Sequence, residues 1–121
     1  MTQEQQKGNK IIAAYDGWQF LRNDEAGRYI YLRNNRKIYD FNFAYHSDWN
    51  VLIEVWAKVY QELLELRESG KITEQDYLDL CCDCEDGFNM GKIEDSFSVT
   101  VQAIKVINTF KKKQENENRA I

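Results

Sequence analysis

Between residues 49 and 66 the large apolar side chains Trp49, Leu52, Ile53, Trp56, Val59, Tyr60, Leu63 and Leu66 recur at intervals of three and four. That spacing puts them on one broad stripe of an α-helix, and a stripe so wide must be covered by more than one neighbour. The segment therefore constrains the fold more than any other. Ser47 or Asp48 can cap its start, and Ser69-Gly70 ends it, because glycine takes the left-handed conformation that closes helices. A second stripe of Ile93, Phe97, Val101, Ile104, Ile107 and Phe110 predicts a long helix from about 92 to 113. Lys111, Lys112 and Lys113 sit in its last turn, where positive charge complements the helix dipole. The chain has no proline, which suits long helices.

Between these helices, Thr73 opens a shorter one with Asp76 at the capping-box position. Its apolar face carries Tyr77, Leu80, Cys81, Cys84 and Phe88, and Gly87 and Gly91 are expected to break it. Before the long helices, Asn9 to Asp16 reads as a short helix ending at Gly17. Trp18–Leu21, Arg28–Leu32 and Lys37–Phe41 read as strands. The turn cluster 23–27 and the pair Asn34-Asn35 separate them, and asparagine tolerates the positive φ of a tight turn. Consecutive strands with short turns make an antiparallel meander. Tyr29 and Tyr31 would share one face, with Ile30 and Leu32 on the other.

The expectation is one α+β domain over residues 9–113, a small antiparallel meander packed on two long amphipathic helices with short helices flanking. Residues 1–8 and 114–121 are polar and are expected to be flexible. Three Trp, seven Tyr and six Phe among 121 residues supply enough apolar area for a core without disulfides or metal. The stripe on 49–66 could also pair two copies, so a homo-oligomer is a further option.

Three short segments carry a resemblance. They are the turn Asp16-Gly17-Trp18 after a short helix, Tyr45-His46-Ser47-Asp48-Trp49 at a helix start, and Gly91-Lys92-Ile93-Glu94 leading into the stripe that ends Val106-Ile107-Asn108. In these the chain resembles a diffuse group of small tailed-phage and prophage proteins, the phage α-β-α sandwich group. The resemblance implies a phage accessory protein without enzymatic activity, and it brings no catalytic residues with it. In this chain the acidic segment 73–88 reads as helix, where similar proteins often place a strand.

Charge is unevenly spread over a chain of net charge −4. Residues 62–95 hold eleven acids against three bases, a local −8, while residues 22–37 hold five bases against two acids, a local +3. A strongly basic nucleic-acid binder is excluded as a default. The acidic side singles out Glu74, Asp76, Asp79 and Asp83 as a candidate protein interface, since an acidic helical face can engage a basic partner surface. The basic side singles out Arg28, Tyr29, Tyr31, Arg33 and Arg36 as a candidate nucleotide site, because guanidinium forks hold phosphates and tyrosine faces stack on bases.

Other chemistries find little support. Cys81 and Cys84 are one turn apart, but there is no second cysteine pair, and His46 is the sole histidine, so a tetrahedral metal site lacks ligands. The glycines at 8, 17, 27, 70, 87 and 91 form no phosphate loop. No nucleophile stands at a recognised spacing from His46. The expectation is a non-enzymatic protein with no cofactor and no membrane span. An odd cysteine count and a polar N-terminal stretch suggest reduced thiols and a cytoplasmic, host-cell setting. A host protein is the expected partner, through the acidic face. Sequestration of a nucleotide by the Arg/Tyr sheet is the alternative.

Overall fold

A computed structural model describes residues 1–119 and shows an α+β fold. Its elements are α1 (Gln3–Tyr15), β1 (Gln19–Asn23), β2 (Tyr29–Arg33), β3 (Arg36–Tyr39), a 3-10 turn (Asp40–Asn42), α2 (Trp49–Glu68), α3 (Glu74–Asn89) and α4 (Ile93–Arg119).

The first helix begins earlier than expected. Thr2 and Gln5 form a capping box: the Thr2 hydroxyl accepts from the Gln5 amide at 3.1 Å, and the Gln5 side chain accepts from the Thr2 amide at 3.0 Å. Two of the orphan donors at a helix start are thus satisfied, so residues 3–8 are helical instead of frayed. The helix closes in a Schellman turn, with Gly17 at φ 93° and the Trp18 amide donating to the Ala13 carbonyl at 2.9 Å.

β1, β2 and β3 form an antiparallel meander in that order. Asp24 organises the first turn by accepting from the Ala26 and Arg28 amides. Asn34 and Asn35 both take positive φ, the signature of the two-residue hairpin turn whose twist matches its strands. A bulge between Phe20 and Arg22 places Arg22 opposite Ile30.

The helices build most of the core. α4 packs on α1, α2 and α3, burying Phe97, Ala103, Ile104 and Ile107 against Ile12, Leu52, Val55, Val59, Leu63, Cys81 and Cys84. Ile93, Val101 and Phe110 lie at the edge of that core. Gly87 does not break α3. A Cβ there would come within 2.8 Å of the Ser96 amide nitrogen, so its missing side chain is what lets α3 and α4 approach. Ser96 donates to the Cys84 carbonyl at 2.7 Å across the same contact, and Thr100 donates to the Ser96 carbonyl.

α2 and α4 pack on each other and on α1 and α3, β2 packs on the 3-10 turn, and Tyr31 and Ile38 pack the sheet against the helical core. The inner sheet face reaches the core through an aromatic chain, with Tyr31 5.2 Å from Phe43 and Phe43 5.7 Å from Trp18 between ring centroids. The last helix also continues past 113 to Arg119, so residues 114–119 of the expected tail are helical. Residues 120 and 121 lie outside the described residues. No helix among the described residues is long and apolar enough to cross a membrane.

Candidate functional site

Three carboxylates of the expected interface come together. Asp76, Asp79 and Asp83 stand at i, i+3 and i+7 on α3, so they follow one another along roughly 10 Å of its surface. They form one wall of a groove of about 240 Å³ between α3 and α4. Ile72, Leu80 and Val106 supply its apolar lining, with Gln102 on the α4 side. Asp79 accepts from Gln75 at 2.7 Å. Among the described residues none of the three carboxylates has a cation within ion-pair distance. Glu74 points away from this row and pairs with Arg67 at 3.5 Å, so it does not belong to the groove.

Local sequence explains the row. Thr73 accepts from the Asp76 amide at 3.0 Å and starts the helix. Glu74 and Asp76 in the first turn are favoured by the helix dipole. Asp83, two turns further on, has no such compensation and faces Asp79 at i+4, a like-charge spacing that costs a few tenths of a kcal/mol.

The five residues of the expected nucleotide site do not share a surface. Strand alternation and register put Tyr29, Tyr31, Arg33 and Arg36 on the inner face, and Arg28 on the outer one with Ile30 and Tyr39. Tyr31 is tucked against Phe43, and burial, then the Asp40 charge, raises its hydroxyl above the usual range. Tyr29 lies under the Lys10 ammonium, 4.6 Å from its ring centroid. Arg33 is spent on structure: it donates to the Asp16 carboxylate at 2.8 Å and stacks 4.5 Å over Trp18. Arg28 donates to Asp24 at 2.7 Å. Arg36 is exposed beside the Asn34-Asn35 turn.

Asp16 is a tie point that sequence reasoning missed. Its carboxylate accepts from Arg33, Tyr45 and Lys58, each at 2.8 Å, and so joins the end of α1 to β2, the loop before α2, and α2 itself. Burial pushes the Asp16 carboxyl up, but bonds from Lys58 and Tyr45 and the nearby charges outweigh it and hold it below the usual range. The same bond, after burial, raises the Tyr45 hydroxyl.

His46 lines a larger cleft of about 490 Å³ between α1 and α4. Glu4, Lys7, Glu94 and Lys105 rim it with balanced charge. Asn9, 1% exposed, places its Nδ2 2.9 Å from His46 Nδ1. An amide nitrogen can only donate, so His46 Nδ1 accepts from Asn9; burial, then the N-terminal ammonium, lowers the His46 imidazole below its ordinary value. Cys81 and Cys84 are buried, and burial pushes the Cys84 thiol up to about 12. Cys82 is exposed. Among the described residues no three His, Cys, Asp or Glu side chains gather in a way that could hold a metal ion.

No protein-family model, curated protein or solved structure matches the chain.

Proposed function

We propose that this chain is a non-enzymatic binding protein whose α3/α4 groove takes a basic amphipathic segment of a partner protein. The observation that carries the reading is the Asp76–Asp79–Asp83 row beside an apolar floor, with no ion pair among the described residues. A helix with lysines or arginines at i, i+3 and i+7 repeats that spacing, and its apolar side would cover Leu80 and Val106. Exposed ion pairs contribute only about 0.2–1 kcal/mol each. The floor would therefore supply affinity, and the carboxylates would supply steering and register. The α1/α4 cleft is larger but its charges balance, so it selects no partner chemistry.

The resemblance to phage accessory proteins makes a host protein the proposed partner. Absence of catalysis is part of the proposal: His46 Nδ1 is taken by Asn9, and among the described residues no Ser or Cys side chain bonds that ring.

The test compares the unaltered full chain with one variant, each against a synthetic helical peptide carrying lysines at that spacing and leucines on one flank. Nuclear magnetic resonance should show saturable shifts at Ile72, Leu80, Gln102 and Val106. The triple variant Asp76→Asn, Asp79→Asn, Asp83→Asn should weaken binding about tenfold or more, and the same variant should lose any partner captured from host extract. Equal binding by the triple variant, or shifts confined to the α1/α4 cleft, would sink the reading.

A further inference from the structure

The register that divides the expected nucleotide site assembles a different one on the outer sheet face. Arg22, Ile30 and Tyr39 stand side by side across the three strands, and Lys37 follows in the next row beside Leu32. A shallow cavity of about 200 Å³ opens there at the β3 edge, lined by Arg22, Ile30, Lys37, Ile38 and Tyr39. Arg28 lies 4.6 Å over the Tyr39 ring. Phe41, 49% exposed, stacks on Tyr39 at 5.3 Å and 7°. Neither Arg22 nor Lys37 has an ion-pair partner among the described residues, and no acidic residue occurs in either cross-strand row.

We propose that this outer sheet face binds a single-stranded nucleic acid, with Arg22 and Lys37 holding successive phosphates and Phe41 stacking a base. Three features select that ligand. Arg22 and Lys37 stand on opposite edge strands, so their backbones are roughly 10 Å apart, a span suited to separate phosphates of a strand more than to one pyrophosphate. The surface between them is apolar, with Ile30 closing the floor. The parallel Tyr39–Phe41 pair extends the platform, and the Phe41 side is half exposed; base–aromatic stacking is tolerant of sequence. An acidic protein surface would match the charges but has no use for that aromatic step. This site shares no residue with the α3/α4 groove, so either can fail without the other.

The experiment is fluorescence anisotropy of the full chain with a labelled oligothymidylate of about 12 nucleotides, well within reach of a small sheet platform. Binding is expected at low salt, with log affinity falling against log salt at a slope of about −1.4 for two phosphates on a single strand. Arg22→Gln with Lys37→Gln should weaken it about tenfold or more and flatten the slope. Phe41→Ser should weaken it with the slope unchanged. A urea melt of each variant shows whether the sheet is intact, and the milder single variants Lys37→Gln and Phe41→Ser serve if the double variant unfolds. No binding at low salt overturns the proposal. So does binding that ignores these substitutions, or equal binding of heparin, which offers charge without bases. Loss of a self-associated species in the double variant, without any oligonucleotide binding, would instead make the face a contact between two copies and also overturns it.

Discussion

The α3–α4 contact and the sheet are held in opposite ways. Between α3 and α4 the backbones meet over Gly87, Ser96 and Thr100, with the Cys84 thiol enclosed. The sheet instead hangs on aromatic edges and on one carboxylate, Asp16, that ties three elements together. The first contact depends on volume, so it tolerates little change in side-chain size. The second depends on charge, so it responds to pH and to the loss of single polar atoms. Both proposed binding surfaces sit beside these seams: the acidic groove flanks α3 and α4, and the basic face covers the outside of the sheet.

The difference can be broken most strongly at Gly87. Gly87→Val places a side chain on Ser96 and should lower stability by about 3 kcal/mol or more in a urea melt. Leu63→Ala, fully buried in α2, should cost a similar amount, about 2–5 kcal/mol. Neither change should add a pH dependence of its own.

Asp16→Asn should cost less, about 2 kcal/mol, because Arg33 and Lys58 are partly exposed and water screens their charge. Its effect should carry a pH signature. The folded-state pKa of Asp16 is lowered, so its stabilisation is present above the unfolded value of about 3.9 and is lost as pH falls through the folded value. Melts of the wild type and Asp16→Asn should therefore converge below about pH 4. A constant gap down to the acid limit would show that the carboxylate's charge contributes nothing.

The thiol at the α3–α4 seam gives the alkaline counterpart. Cys84 is raised from its ordinary value to about 12, so the folded state keeps a proton that the unfolded chain releases. Its contribution is complete below the unfolded pKa, about 8.5, and is lost as pH rises through the folded value. Cys84→Ala should shrink the difference between melts at pH 8 and at higher pH, measured with reductant present; an unaltered difference would place its source elsewhere.

The smallest expected effect is at Asp83. Asp83→Lys removes a like-charge pair with Asp79 and should leave stability unchanged or raise it by about 0.5 kcal/mol, while weakening capture of a basic peptide. A loss of stability comparable to Asp16→Asn would mean that Asp83 is structural and would remove it from the proposed groove.

Much of this arrangement was legible in the residues. The stripes on 49–66 and 93–110 follow from helical period, and the strand around Tyr29–Leu32 from β preference and alternation. The acidic row was legible because i, i+3 and i+7 on one helix is a local property. Three features are not legible in the sequence, for identifiable reasons. The Thr2/Gln5 capping box lies in a polar stretch with no apolar stripe to mark a helix. Gly87 reads as a breaker because its packing partner, Ser96, lies on another helix. The Arg/Tyr set reads as one surface only until the strand register is known: consecutive strand residues face opposite ways, and Arg33 finds its carboxylate 17 positions away.

What the chain's own order of residues determined is the set of elements, their ends and which side of each is apolar. These depend on backbone preference and on periodicity within a few residues. Tertiary structure decided which elements meet. It gave the apolar faces of α2 and α4 to other helices, left the outer sheet face open, and turned Asp16 into a junction. Such choices compare whole packings, in which buried volume and the pairing of distant charges outweigh any local preference.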